Sequence, residues 1–129
     1  MPVAWEIRGA VLTLSLAGQF TNDDIERALQ EAAADERCRP GMRLLWDPRR
    51  SETAMSSADL EWRTELVAAC AKRGLLARFA LVLRPDQQIS LDVFASEAQK
   101  QLDALPVRAF TDESEALAWL EAPPVPRRT

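Results

Sequence analysis

The sequence contains no histidine. That removes the side chain most often used as a general base near neutral pH, and with it the commonest metal ligand. A serine–histidine or cysteine–histidine triad is therefore excluded. Lysine is almost as scarce, with only Lys72 and Lys100, which leaves little room for amine chemistry. The two cysteines, Cys38 and Cys70, are far apart and belong to no CxxC pair, so a thiolate metal site is not expected. Cys70 falls in an apolar helical stripe and reads as a small core residue, Cys38 as a loop residue. A disulfide between them would need an oxidising compartment. No stretch approaches the roughly 20 apolar residues of a membrane span. The opening MPVAWEIRGA puts Glu6 and Arg8 where a signal peptide needs its apolar stretch. The chain is expected to be soluble and cytoplasmic, with no integral membrane segment. Excess basic charge is also lacking. A net charge of −4 argues against nucleic acid as a partner, because neutralising phosphates takes clustered cations.

What remains is the balance of a globular protein: 47% hydrophobic and 28% charged residues in a chain of 129, enough for one core without staples. Glycine and proline punctuate it. Gly9, Gly18, Pro40-Gly41, Pro48, Gly74, Pro85, Pro106 and Pro123 all fall between periodic segments.

Residues 3–8 and 10–17 read as two strands joined by a tight turn at Arg8-Gly9. In the second, Leu12, Leu14 and Leu16 alternate with Thr13 and Ser15, the period of a half-buried strand. Thr21 or Asn22 can cap a helix whose first turn carries Asp23 and Asp24, favourable beside the positive end of the dipole. Its apolar face is Ile25, Ala28, Leu29, Ala32 and Ala33. MRLLWD, 42–47, is a nearly continuous apolar run, predicted as a strand covered on both faces and stopped by Pro48. After a polar loop, Ser56 or Ser57 caps a helix running to about Arg73, with Gly74 past its end. RFALVL, 78–83, is a buried strand stopped by Pro85. Leu91, Phe94, Ala95, Ala98 and Leu102 mark a further helix, PVRAF a short last strand. Thr111 with Ser114 opens a final helix that turns Ala116, Leu117 and Leu120 inward. The predicted order is ββαβαβαβα over one domain, residues 3–121, with a flexible Pro/Arg tail at 122–129. Strands alternating with helices imply a mixed α/β sheet of about five strands: an antiparallel opening hairpin, then parallel pairing.

That order, with the GAVLTLSLAGQFT opening, a third strand ending in Asp47, the strand FALVL and the closing FTDESEALAWL, resembles the SpoIIAA-like family. This is the fold of anti-sigma-factor antagonists and of the STAS domains attached to anion transporters. The resemblance implies a non-enzymatic regulatory module. STAS antagonists place an Asp-Ser-Ser-Gly run about nine residues after the strand-ending Asp, and a partner kinase phosphorylates its second serine. Here Met55-Ser56-Ser57-Ala58 occupies that run, so the resemblance assigns the phosphorylated position to Ser57. Met55 replaces the acid and Ala58 the glycine, and a serine there is equally well explained as a helix N-cap.

The candidate site lies beyond the carboxyl ends of the parallel strands, where ligands of open α/β sheets sit. Asp47, Arg49, Arg50 and Ser51 follow one strand; Arg84, Asp86 and Gln87 follow the next. The arginines are expected to converge with the Ser56-Ser57 helix start into a local positive spot that takes a regulatory protein partner or a small anionic or lipidic ligand. The alternatives are a structural homodimer without ligand and, last, an enzyme using carboxylate chemistry. Nothing implies a metal or cofactor. The dimer reading rests on two expectations: a second helix apolar over a wide arc around Trp62, and a sheet face left apolar by helices crowding the other. Asp23-Asp24 is assigned to the helix dipole, and Arg127 and Arg128 to solubility.

Overall fold

The computed structural model describes residues 2–52, 57–74, 76–87 and 106–122. The elements are β1 (Val3–Arg8), β2 (Val11–Gly18), α1 (Asn22–Ala34), β3 (Met42–Ser51), α2 (Ser57–Lys72), β4 (Leu76–Val82), a single 3-10 turn (Pro85–Gln87), β5 (Val107–Phe110) and α3 (Glu113–Glu121). The expected helix around Leu91–Leu102, and Ser56 with the segment before it, lie outside the described residues.

Five strands form one sheet in the order β1-β2-β3-β4-β5. β1 and β2 are antiparallel from Val3↔Leu16 to Arg8↔Val11, and the remaining ladders are parallel. Gly9 makes the tight turn between them at φ +58°, a conformation that a Cβ disfavours. The alternation read in β2 is real: Leu12, Leu14 and Leu16 are buried while Ser15 is exposed.

Two apolar layers sandwich the sheet. On one face α1 and α2 cover Val3, Ile7, Leu12, Leu14, Leu16, Leu44, Trp46, Phe79 and Leu81. On the other α3 packs Ala116 and Leu120 against Val11, Leu45, Ala80 and Val82. The chain thus closes the second face with its own last helix. Where α3 does not reach, the hairpin shows Ala4, Glu6, Arg8 and Ser15 to solvent. The apolar sheet face expected to drive self-association is therefore covered where it is apolar and polar where it is open. The apolar arc of α2 likewise lies against the core among the described residues, with Leu66, Val67 and Ala71 packed there. Trp62 is half-buried against the core, the buried positions include Arg63 and Thr64 beside Val67, and Ala58, Glu61, Glu65, Ala69 and Lys72 face outward.

Local chemistry sets the boundaries. Thr21 caps α1 in a capping box: its hydroxyl accepts from the Asp24 N–H while the Asp24 carboxylate accepts from the Thr21 N–H. For α3 the cap is Asp112, which accepts from the N–H groups of Ser114 (2.7 Å) and Glu115 (3.2 Å). Thr111, expected there, stands one residue too early.

Pro48 does not stop β3. The strand runs on to Ser51, and the β2–β3 register slips between Ser15↔Asp47 and Ala17↔Arg50, two residues of β2 against three of β3. Pro48 falls inside that bulge, where its missing N–H costs the ladder nothing. Pairing then resumes, ending with the Glu52 N–H on the Gly18 carbonyl at 2.8 Å.

Candidate functional site

Extending β3 by four residues changes what the strand-end edge is made of. Arg49, Arg50 and Ser51 are strand residues held by β2, not residues of a free loop. β4 leaves β3 after Trp46↔Leu81, so the far end of β3 has no strand on that side. Arg84, just beyond β4, fills the place: its Nη1 donates to the Arg49 carbonyl at 2.5 Å and the Ser51 carbonyl at 3.4 Å. The other side of the same guanidinium is held by Asp86, Nε at 3.1 Å and Nη2 at 3.3 Å.

Arg49 is held as firmly. Asp47 accepts its Nε and Nη2, each at 2.9 Å, and also its backbone N–H at 3.1 Å. Glu113, at the start of α3, stands 3.4 Å from Nη2. Its hydrogen bonds to Asp47, helped by the nearby charges of Asp47, Glu113 and Asp112, raise the Arg49 pKa above its already high value. Asp86 is shifted the other way, below the ordinary carboxylate range, because Arg84 hydrogen-bonds its charged form.

The structure therefore brings Asp47, Arg49, Ser51 and Arg84 together, with Arg50 exposed beside them. Gln87 ends the short turn after β4, and Ser57 is the first residue of α2. The expected positive spot is not what forms. Arg49, Arg50 and Arg84 share the edge with Asp47, Glu52, Asp86, Asp112 and Glu113, so acids outnumber cations among the described residues. The arginine forks face carboxylates and carbonyls of the chain itself.

A second polar cluster, unmarked in the sequence reading, adjoins this edge between the starts of α1 and α2. Arg63 is 6% exposed, lies 5.3 Å over the ring of Phe20 and donates Nε to Asn22 Oδ1 at 3.3 Å. Asn22 in turn donates to Asp59 at 3.1 Å. Burial lowers the Arg63 pKa, with Asp59 opposing. The amphipathic pattern of α2 hides this residue, because an arginine at that position reads as the edge of its polar face.

Arg-acid pairs two residues apart were the signal for the paired edge. Glu6–Arg8, Asp35–Arg37, Asp47–Arg49 and Arg84–Asp86 all form ion pairs at 2.9–3.1 Å. Two of them, Glu6–Arg8 and Asp47–Arg49, lie within β1 and β3, where residues i and i+2 of extended backbone share a face and this spacing places a carboxylate against a guanidinium.

The sequence matches no family profile and no curated protein. Its structure does match a solved one, an uncharacterized protein of the DUF3478 family with a SpoIIAA-like fold from Shewanella loihica PV-4. The TM-score is 0.59 at 21% identity, over 92% of this chain and 91% of that one.

Proposed function

From the premise of a SpoIIAA-like fold of divergent sequence, we propose that this chain is a STAS-like regulatory module that works by binding a partner protein at the C-terminal edge of its parallel strands. The observation that carries this reading is the pairing of Arg49 with Asp47 and Glu113, and of Arg84 with Asp86 and the β3 carbonyls. A small anion arriving there must displace carboxylates already hydrogen-bonded to both guanidiniums. A protein surface need not. It can match a rigid pattern of alternating charge, and that gives specificity more than raw affinity. Arg50, exposed and next to the fixed pair, is the natural point of contact.

A binding role over catalysis is supported by the absence of histidine and by the direction in which the edge carboxylate Asp86 is tuned. A catalytic acid is normally pushed upward by burial; Asp86 is exposed and held down by its arginine. Ser57 starts α2 at this same edge, so a phosphate added there would change the charge that a partner meets.

The test compares affinity capture from the native host by the wild type, Arg50→Glu and Arg39→Glu, followed by reconstitution with the purified captured protein. The reading predicts a partner retained by wild type and Arg39→Glu and lost by Arg50→Glu. Equal capture by all three, or recovery of only a second copy of this chain, overturns it; the latter would favour the structural homodimer.

A further inference from the structure

The opposite edge of the sheet carries a cleft of about 440 Å³, within the range of small-ligand sites. It lies where the β1–β2 turn meets the loop between α1 and β3. Ile7 and Met42, both nearly buried, line its apolar part; Gly9 and Gly41 flank it, and Arg37 and Arg39 complete the lining. Apart from the adjoining residues of the chain, no atom lies within 4 Å of where a Cβ on either glycine would stand, so the space beside the backbone is open.

The two arginines differ. Arg37 is fixed: Nε and Nη2 are held by Asp35 at 3.0 and 3.2 Å, and Nη1 reaches the Ile7 carbonyl at 3.5 Å. The remaining N–H on each Nη of Arg37 is not engaged by the described residues. Arg39 is exposed, and no described residue pairs with it. Asp35 and Glu36 both stand beside Arg37, so Arg39 is the cation left to meet an anion over the apolar floor. Arg8 is paired with Glu6, while Lys72 and Arg73 stand exposed at the end of α2, whose following turn is tied to this loop by the Gly41 N–H on the Gly74 carbonyl at 2.8 Å.

We infer that this cleft binds a small organic anion with one carboxylate and a compact apolar body. The carboxylate meets Arg39 and the free side of Arg37, and the body lies on Ile7 and Met42. A dianionic phosphate fits less well, because Asp35 sits beside Arg37 and the floor offers a phosphate nothing. This site is separate from the partner edge, and its test does not depend on that reading.

Benzoate is the probe, titrated into the isotope-labelled full chain with amide resonances followed by NMR; benzamide and inorganic phosphate are the comparison ligands. Saturable shifts centred on Gly9, Ala10 and Gly41 are expected with benzoate, with benzamide and phosphate much weaker. Arg39→Gln should weaken benzoate about tenfold, the loss of one charge-assisted contact, while Arg50→Gln at the other edge leaves it unchanged. Arg39 is exposed and pairs with no described residue, so its variant keeps the fold, which the rest of the spectrum verifies. Scattered or non-saturating shifts, benzoate bound equally by Arg39→Gln, phosphate competing on equal terms, or a loss in Arg50→Gln would each overturn the inference.

Discussion

Arg84 completes the ladder of β3. Its guanidinium donates to the carbonyl of Arg49 at 2.5 Å where β4 has already turned away, and Asp86 fixes the orientation of the fork. A side chain here does the work of a strand. The planar five-donor group makes this possible; a lysine ammonium cannot address two carbonyls and a carboxylate from one fixed plane.

Arg84→Ala should therefore lower stability by about 1 to 2 kcal/mol, the loss of charge-assisted hydrogen bonds at a half-exposed site. An exposed loop arginine would register within about 0.5 kcal/mol. Arg84→Lys should recover less than half of the loss. Urea denaturation of the three proteins measures both, and wild-type stability in Arg84→Ala would show the contact to be incidental.

The same pair has a pH signature. The folded-state pKa of Asp86 lies below the ordinary value of 3.8 because Arg84 hydrogen-bonds its ionised form. A depressed pKa contributes stability that is fully present above the unfolded value and lost as pH falls through the folded one. The carboxyl carbon of Asp86 should titrate below 3.8 in the wild type and return toward 3.8 in Arg84→Ala. Asp35, held by Arg37, should behave likewise and be untouched by that substitution. Identical Asp86 midpoints in the two proteins would contradict the ion pair in solution.

What the sequence made legible follows the type of signal. The ββαβ opening, a cap for α1 at Thr21 or Asn22 and the burial of Leu12, Leu14 and Leu16 were readable because each depends on residues close in sequence. Three things were not. The extension of β3 past Pro48 depends on a bulge against β2, which no local pattern announces. The second-face role of α3 depends on which side a short helix falls after β5. And the charge of the candidate edge could not be judged from Arg49, Arg50 and Arg84 alone, because Glu113, 64 positions from Arg49, supplies part of the neutralisation. The resemblance to the SpoIIAA-like fold, carried by element order, survived all three.

α3 ends in a clamp. It has no basic residue in its last turn; the cations come from the sheet instead. Arg43 and Arg78 are register neighbours on β3 and β4. Arg43 donates to the Leu120 carbonyl; Arg78 donates to those of Trp119 (2.6 Å) and Ala122 (2.8 Å) and lies 5.6 Å over the Trp119 ring. Cations are favourable at a helix C-terminus. Arg43→Gln and Arg78→Gln should each cost about 1 kcal/mol, and together they should loosen α3 before the rest of the fold. Faster amide exchange confined to 113–121, with red-shifted tryptophan emission, is the expected result. If the double variant exchanges at the wild-type rate there, apolar packing alone holds the helix.

Arg63 offers the sharpest distinction between charge and volume. Its guanidinium is nearly buried over Phe20 and hydrogen-bonded to Asn22, and Asn22 holds Asp59. The chain thereby joins the first turns of α1 and α2 beside the proposed partner edge. Burying a guanidinium is costly, as its lowered pKa shows, and replacing a buried charge by an apolar side chain of similar volume is often neutral. Arg63→Met keeps the contact with Phe20 and removes the desolvation cost, so stability should stay within about 1 kcal/mol of wild type. Arg63→Ala opens a gap under Phe20 as well, and should cost about 2 to 3 kcal/mol. Both variants remove the Arg63–Asn22 hydrogen bond, so both should speed amide exchange in the first turns of α1 and α2. Chemical denaturation and exchange measured on the two proteins separate the contributions. Equal large losses in both would mean that the charge, not the packed stem, fixes the junction. Unchanged exchange at both helix starts would mean that the junction is held by something other than Arg63.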